Sequence, residues 1–333
     1  MERRHFLFAT LGALAAIPTT VRAQDELYDP EMNAPRQALR VLLGSGDAVA
    51  NPQGGFTFNG RPYRGTFVRD PDGQIITTVG LEEYLYSVVP REMTASWPAA
   101  ALRAQAICAR TYVLQRSAPR RAYDLVPSEA DQVYGGMASE SPAAREAVDA
   151  SAGQVLQFNG HFAQVMYSSC CGGHTEASSD AWGGAPFPYL GGVVCTYCTA
   201  SPNYRWHRDL ALSAITTAFA SEIGAYGELT NVRTAATDAS GRARTVELAC
   251  ERGSAFVKGS VFRARLGYRT IPSLLITKID VSTEAPQRVA IEGGGLGHGV
   301  GLCQWGARGM ALAGASADDI LRFYFPGTTI GHD

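Results

Sequence analysis

Residues 80–116 read GLEEYLYSVVPREMTASWPAAALRAQAICARTYVLQR, two apolar helical patterns meeting at a short break that carries Glu92. Leu81, Leu85, Val88 and Val89 share one helical face, and Pro90, with no N–H to continue the backbone ladder, predicts the end of the first helix. The second is expected to begin after Ser96, with Pro98 in its first turn and Leu102, Ala106, Ala109 and Val113 recurring at helical spacing. Glu92 then sits at a helix junction walled by Met93 and Trp97, where partial desolvation raises a carboxyl's pKa towards that of a general acid. Taken alone, such a pattern more often holds a solvated glutamate at a helix end.

Around this stretch the sequence predicts an α+β fold, mixed antiparallel strands with a helical catalytic segment. Leu39–Leu43 and the alternating run from Phe56 to Val79, broken by Gly, Pro and Asp-Gly turns, read as antiparallel strands. Ala143–Ala152 reads as a short helix, and Val155–Phe158 pairs with His161–Tyr167 across Asn159-Gly160. Leu210–Ile223 reads as helix; Val232–Ala236, Thr245–Ala249, Ile276–Val281 and Arg288–Glu292 read as strands. A last helix begins at Ser316, with Asp319 placed for a capping box, and stops at Pro326-Gly327.

The glycine run from Gly293 to Gly301 lacks the Lys-Ser/Thr of a phosphate loop. Its glycines are expected to let backbone approach a sugar chain, with His298 and Gln304 offering hydrogen bonds and Trp305 a stacking face. A satisfied structural histidine is the competing reading of His298. Ser168, Ser169 and Thr175 suit hydroxyl contacts to glycan, as polar loop residues often do.

The 333 residues are 46% apolar and 18% charged, enough for a large core, and a net charge of −2 argues against nucleic acid as a partner. MERRHFLFATLGALAAIPTTVRA has the charged start, short apolar run and small-residue end of a cleavable export signal over residues 1–23. Arg3-Arg4 gives it a twin-arginine form, a flexible lead-in is expected over 24–38, and residues 39–333 are expected to form the catalytic region. The mature chain carries no further stretch apolar enough for a transmembrane anchor, so an exported protein of the periplasm or cell-wall space is expected.

Seven cysteines follow, four of them as Cys170-Cys171 and Cys195-x-x-Cys198. Export makes disulfides among these four the first expectation. The rival is zinc held by Cys170, Cys171, Cys195 and Cys198 with His174, since Cys-x-x-Cys has ligand spacing. Cys108, Cys250 and Cys303 read as small buried apolar residues. No cofactor is otherwise called for.

Three blocks carry a family resemblance. The run from Leu81 to Arg116, SSCCGGHTEASSDAW (Ser168–Trp182) with the PYLGGV that follows, and GLGHGVGLCQWGARGMALAGASADDILRFYFPGT (Gly295–Thr328) resemble, in order, the signature blocks of the stage II sporulation protein D / LytB family. The resemblance implies a lyase, a lytic transglycosylase that cleaves peptidoglycan glycan strands, including strands stripped of stem peptides, and by position makes Glu92 the catalytic residue. It also admits a module that binds the cell wall and enhances an amidase. Relatives with cysteine ligands after the long helix have no counterpart here, because Tyr123–Tyr134 contains no cysteine. Glycosidases usually need two carboxylates. A transglycosylase needs one, because the muramyl C6 hydroxyl attacks its own C1; a hydrolase would recruit Glu82, Glu83, Glu176 or Asp180 as the second.

Overall fold

The computed structural model describes residues 38–116 and 122–333; the expected export signal with Arg3-Arg4 and the lead-in before Ala38 lie outside the described residues. The alternating segments form β1 (Ala38–Ser45), β2 (Ala48–Ala50), β3 (Phe56–Phe58), β4 (Arg61–Tyr63), β5 (Thr66–Arg69) and β6 (Gln74–Gly80). They make two antiparallel sheets, ordered β1-β6-β5 and β2-β3-β4. β6 runs directly into α1 (Leu81–Glu92) with no intervening loop. Pro90 lies inside α1 and does not end it. The proline removes only one ladder bond, and the helix stops two residues later with the Met93 N–H on the Val89 carbonyl.

After α2 (Ala99–Arg116) come α3 (Pro142–Asp149), capped by the Ser141 hydroxyl accepting from the Ala144 N–H, then β7 (Gln154–Phe158) and β8 (His161–Phe162). Asn159 and Gly160 both take positive φ, 52° and 81°, as a two-residue hairpin turn of this hand requires. β8 is shorter than the expected 161–167 strand, because Tyr167 begins β9 (Tyr167–Ser168), which pairs elsewhere.

The chain then passes through α4 (Ser178–Trp182), β10 (Trp206–Ala211), α5 (Leu212–Ala218), α6 (Ala220–Ile223), β11 (Leu229–Thr237), β12 (Ala243–Cys250), β13 (Gly253–Lys258), α7 (Gly259–Leu266), β14 (Leu275–Val281) and β15 (Arg288–Gly294). Leu210 and Ala211, expected in a helix, finish β10 by pairing with Val289 and Arg288. The helical remainder is split at Phe219, whose buried ring stacks on Phe262 at 5.7 Å. β16 (Leu302–Cys303), α8 (Gln304–Leu312), α9 (Ala317–Tyr324) and β17 (Thr329–His332) complete the chain. Ser316 and Asp319 form the expected capping box of α9.

Two buried cores result. The first takes residues from Leu39 to Cys198 and again from Val300 to Phe325; the second is built wholly from Trp206 to Ile291. α2 is buried on most of its circumference, its buried Gln105, Arg110 and Thr111 included, and packs against α1, α3, α8 and α9. The chain thus leaves the first core, forms a second, and returns through β16, which lies parallel to β9, and β17, which joins the β7-β8 sheet. Mixed helices and antiparallel strands in this arrangement are the expected α+β class.

Candidate active site

Glu92 ends α1, and its carboxyl meets a residue that returns with the last part of the chain. Gln304 Nε2 donates to Glu92 Oε2 at 3.2 Å and also reaches Gln105 Oε1 of α2 at 3.4 Å. The Val133 backbone N–H donates to the same carboxylate. Burial is the largest influence on Glu92 and raises its pKa above the ordinary carboxylate value, while these two donors pull it down. The residue as a whole is only half-buried, so solvent reaches its edge while the carboxyl itself is largely desolvated.

Met93, 1% exposed, backs Glu92 from the core. Trp97 and Trp305 meet edge-on at 5.0 Å, and the Arg308 guanidinium lies 5.2 Å from the Trp305 ring and 5.9 Å from the Trp97 ring. Both tryptophans are half-buried, leaving aromatic surface open beside Gln304. The Trp305 backbone N–H donates to the Ser169 carbonyl at 3.0 Å. An open hollow of about 590 Å³ lined by Pro142, Arg145, Glu146, Asp149 and Ala150 sits on α3 and includes none of these residues.

His298 stands apart from the Glu92 carboxyl's hydrogen bonds. Its Nδ1 accepts the Val300 N–H at 3.0 Å, and its ring lies 5.2 Å from that of Trp182, which is 46% exposed. Burial pushes its pKa down to about 4, so the ring is neutral at pH 7. Ser168 is buried with no partner for its hydroxyl. Thr175 is buried and its hydroxyl is engaged at 2.7 Å by the Val193 N–H, which fixes the loop leading to Cys195.

The glycine run approaches protein, where a sugar had been expected. A Cβ on Gly297 would lie 2.8 Å from that of Ser168, one on Gly299 would overlap the Arg242 guanidinium, and one on Gly301 the Met166 carbonyl. Positive φ at all three makes the glycines doubly necessary.

The four carboxylates considered as second acids each face an arginine. Arg110 Nη2 meets Glu82 at 2.5 Å, Arg64 meets Glu83 at 3.7 Å, Arg242 meets Glu176 at 3.5 Å, and Arg244 meets Asp180 at 3.6 Å. Glu176 is nevertheless pushed up to about 8, chiefly by burial and also by a carboxyl hydrogen bond to Asp238. The two facts agree if Glu176 and Asp238 share one proton and one negative charge against a single guanidinium. Arg110 was not singled out in the sequence. It is fully buried, held by Glu82 and the Gln154 and Val148 carbonyls, and its place beside Ala106, Ala109 and Val113 of the helix's apolar pattern was the signal for it.

All seven cysteines are free. The expected disulfides among Cys170, Cys171, Cys195 and Cys198 are not formed; Cys171 and Cys198 sulfurs lie 3.6 Å apart against about 2.05 Å for a bond. Cys303, read as a small apolar residue, instead joins Cys171, Cys195 and Cys198 in one buried group of sulfurs. His174 lies outside that group, with its Nδ1 2.6 Å from the Thr175 carbonyl.

With this geometry in view, comparison with known proteins gives a consistent picture. The family described as stage II sporulation protein (SpoIID) matches residues 70–158, the stretch holding α1, α2 and Glu92. A domain of unknown function, DUF8618, matches residues 195–301, which enclose the second core. An uncharacterized protein of Brachyspira hyodysenteriae is 32% identical over 290 residues, covering 85% of this chain and 76% of its own length. The stage II sporulation protein D of Bacillus subtilis is 27% identical over 281 residues, covering 77% and 76%. The amidase enhancer of Bacillus subtilis is 30% identical over 299 residues, covering 74% of this chain and only 40% of that protein, so this chain spans less than half of it. No helix among the described residues is long and apolar enough to cross a membrane. The chain belongs to the stage II sporulation protein D family.

Proposed function

We propose that this protein is exported and cleaves the MurNAc–GlcNAc bond of peptidoglycan glycan strands by lytic transglycosylation, with Glu92 as its one acid and base. The observation that carries this reading is the Glu92 carboxyl itself, desolvated so that its protonated form persists above the ordinary carboxylate range, yet touched by the Gln304 amide, which favours the carboxylate. Such a group suits both halves of the reaction. Protonated Glu92 gives its proton to the glycosidic oxygen as the C1–O bond breaks. The muramyl C6 hydroxyl then closes on C1 and returns its proton to the Glu92 carboxylate, leaving a 1,6-anhydro end. Trp97 and Trp305 supply the apolar faces on which sugar rings stack, with Gln304 holding Glu92 beside them. That Glu82, Glu83, Glu176 and Asp180 all face arginines supports a reaction needing no second carboxylate over hydrolysis.

Mass spectrometry of purified glycan strands after incubation with the mature protein tests the proposal. Products lighter by one water than hydrolysed strands are expected; ordinary reducing ends would identify a hydrolase. A second reading comes from the relative named amidase enhancer. Intact strands retained on the protein, together with faster release of stem peptides by an added cell-wall amidase, would favour it.

A further inference from the structure

Four sulfurs, those of Cys171, Cys195, Cys198 and Cys303, all lie within 4.8 Å of one another and all four residues are buried. A disulfide would bring two of them to about 2.05 Å and leave the others behind. Four thiolates around one ion at Zn–S distances of about 2.3 Å stand about 3.8 Å apart along each edge of the tetrahedron. The 3.6 Å between Cys171 and Cys198 fits such an edge, and the 4.8 Å limit on every pair leaves room for one ion at the centre.

The surroundings suit sulfur that carries negative charge. Cys303 Sγ accepts the Cys171 N–H at 3.2 Å and the Gly306 N–H at 3.3 Å, and Cys303 is the N-cap of α8. The Tyr324 hydroxyl lies 3.1 Å from Cys195 Sγ. Gly306 permits the approach, because a Cβ there would lie 2.9 Å from the same sulfur and overlap Tyr324. Donors of this kind beside the ligand atoms orient and tune a metal site.

The geometry points to a structural zinc site made by Cys171, Cys195, Cys198 and Cys303. Four soft sulfur donors exclude magnesium and calcium as natural occupants, and four donors with no open position describe a closed site that does no chemistry. An iron–sulfur cluster spreads its thiolates over several iron atoms, wider than this set. Cys170 and His174 are outside the ligand set; the Cys170 thiol lies against Cys198 and Cys303 as a neighbour.

The place of the site in the chain gives it a purpose. Cys195 and Cys198 lie where the chain leaves the first core for the second, Cys303 where it returns, and Cys171 on the segment after β9. One ion therefore ties departure to return around a hundred-residue excursion. The residue after Cys303 is Gln304, whose amide holds Glu92, so the ion is a positioning element for that contact. Zinc binding stands independently of the reaction proposed for Glu92.

The test uses the whole mature protein purified without chelator from zinc-supplemented cells. Elemental analysis should find close to one zinc per chain, X-ray absorption at the zinc edge should find four sulfur neighbours, and chelator should lower the melting temperature while exposing four thiols to a colorimetric reagent. Cys303→Ser should lose at least nine-tenths of the zinc. Cys250→Ser, whose sulfur lies in the second core, should keep it. Should Cys303→Ser fail to fold, the wild-type stoichiometry and absorption spectrum decide by themselves. Less than a tenth of a zinc per chain, iron in its place, nitrogen or oxygen neighbours at the zinc, or a peptide map showing bridges among these cysteines would overturn the assignment.

Discussion

The Gln304 amide donates to the Glu92 carboxylate across 3.2 Å, joining residues 212 positions apart in sequence. It brings the end of α1 and the first turn of α8 to one point, and it is one of the two hydrogen bonds opposing the effect of burial on that carboxyl.

Glu92→Gln should fold as the native protein does and lose strand cleavage by about a hundredfold to ten-thousandfold, the usual contribution of general acid–base catalysis. The amide keeps the volume but neither gives nor takes the proton. Rates near wild type in a variant of unchanged melting temperature would remove Glu92 from the mechanism.

Gln304→Ala should change the pH profile more than the fold. The lost donor favours the charged carboxylate, so its removal raises the Glu92 pKa further. Cleavage that depends on protonated Glu92 should therefore persist to higher pH in the variant, while its maximal rate falls because the carboxyl is less well held. An alkaline limb of kcat/KM that stays in place, or moves to lower pH, contradicts this.

Arg110→Ala should cost about 3 kcal/mol, the low end for breaking a buried ion pair, because partly exposed Glu82 can rehydrate while the Gln154 and Val148 carbonyls lose their donor. Urea unfolding measures it. A change below about 0.5 kcal/mol, typical of a surface substitution, would show the pair to be dispensable.

The contribution of Glu176 to stability should also fall as pH rises from about 4.5 to about 8. Glu176 holds its proton in the folded state to about 8 and releases it near the ordinary carboxylate value when unfolded, so the native chain binds the extra proton across that window. Its contribution is complete below the unfolded pKa and gone above the folded one. Glu176→Gln cannot titrate, and melting curves of the variant should lack that part of the slope. His298 works in the opposite sense: its pKa is depressed to about 4, so its contribution is present above about 6.5 and lost as pH falls to about 4.

Local pattern and tertiary contact divided the work in this protein. Periodicity determined α1, α2, α3 and α9, turn chemistry determined the Asn159-Gly160 hairpin, and short-range capping determined Ser316, because each of these depends on residues within a few positions of one another. Pro90 misled locally: a proline in a last turn forfeits one bond, which packing of α1 against α2 outweighs. Leu210 and Ala211 misled for the same class of reason, since strand pairing with β15 comes from about eighty residues away. The three sequence blocks pointed to Glu92, Gln304 and Trp305, but only the fold set Gln304 against Glu92, Trp305 against Trp97, and Cys303 among three other sulfurs. Residue type and spacing fix what a side chain can do. Which partner it meets is decided when a chain that has left one core to build another is brought back, and that closure is a property of packing over the whole molecule.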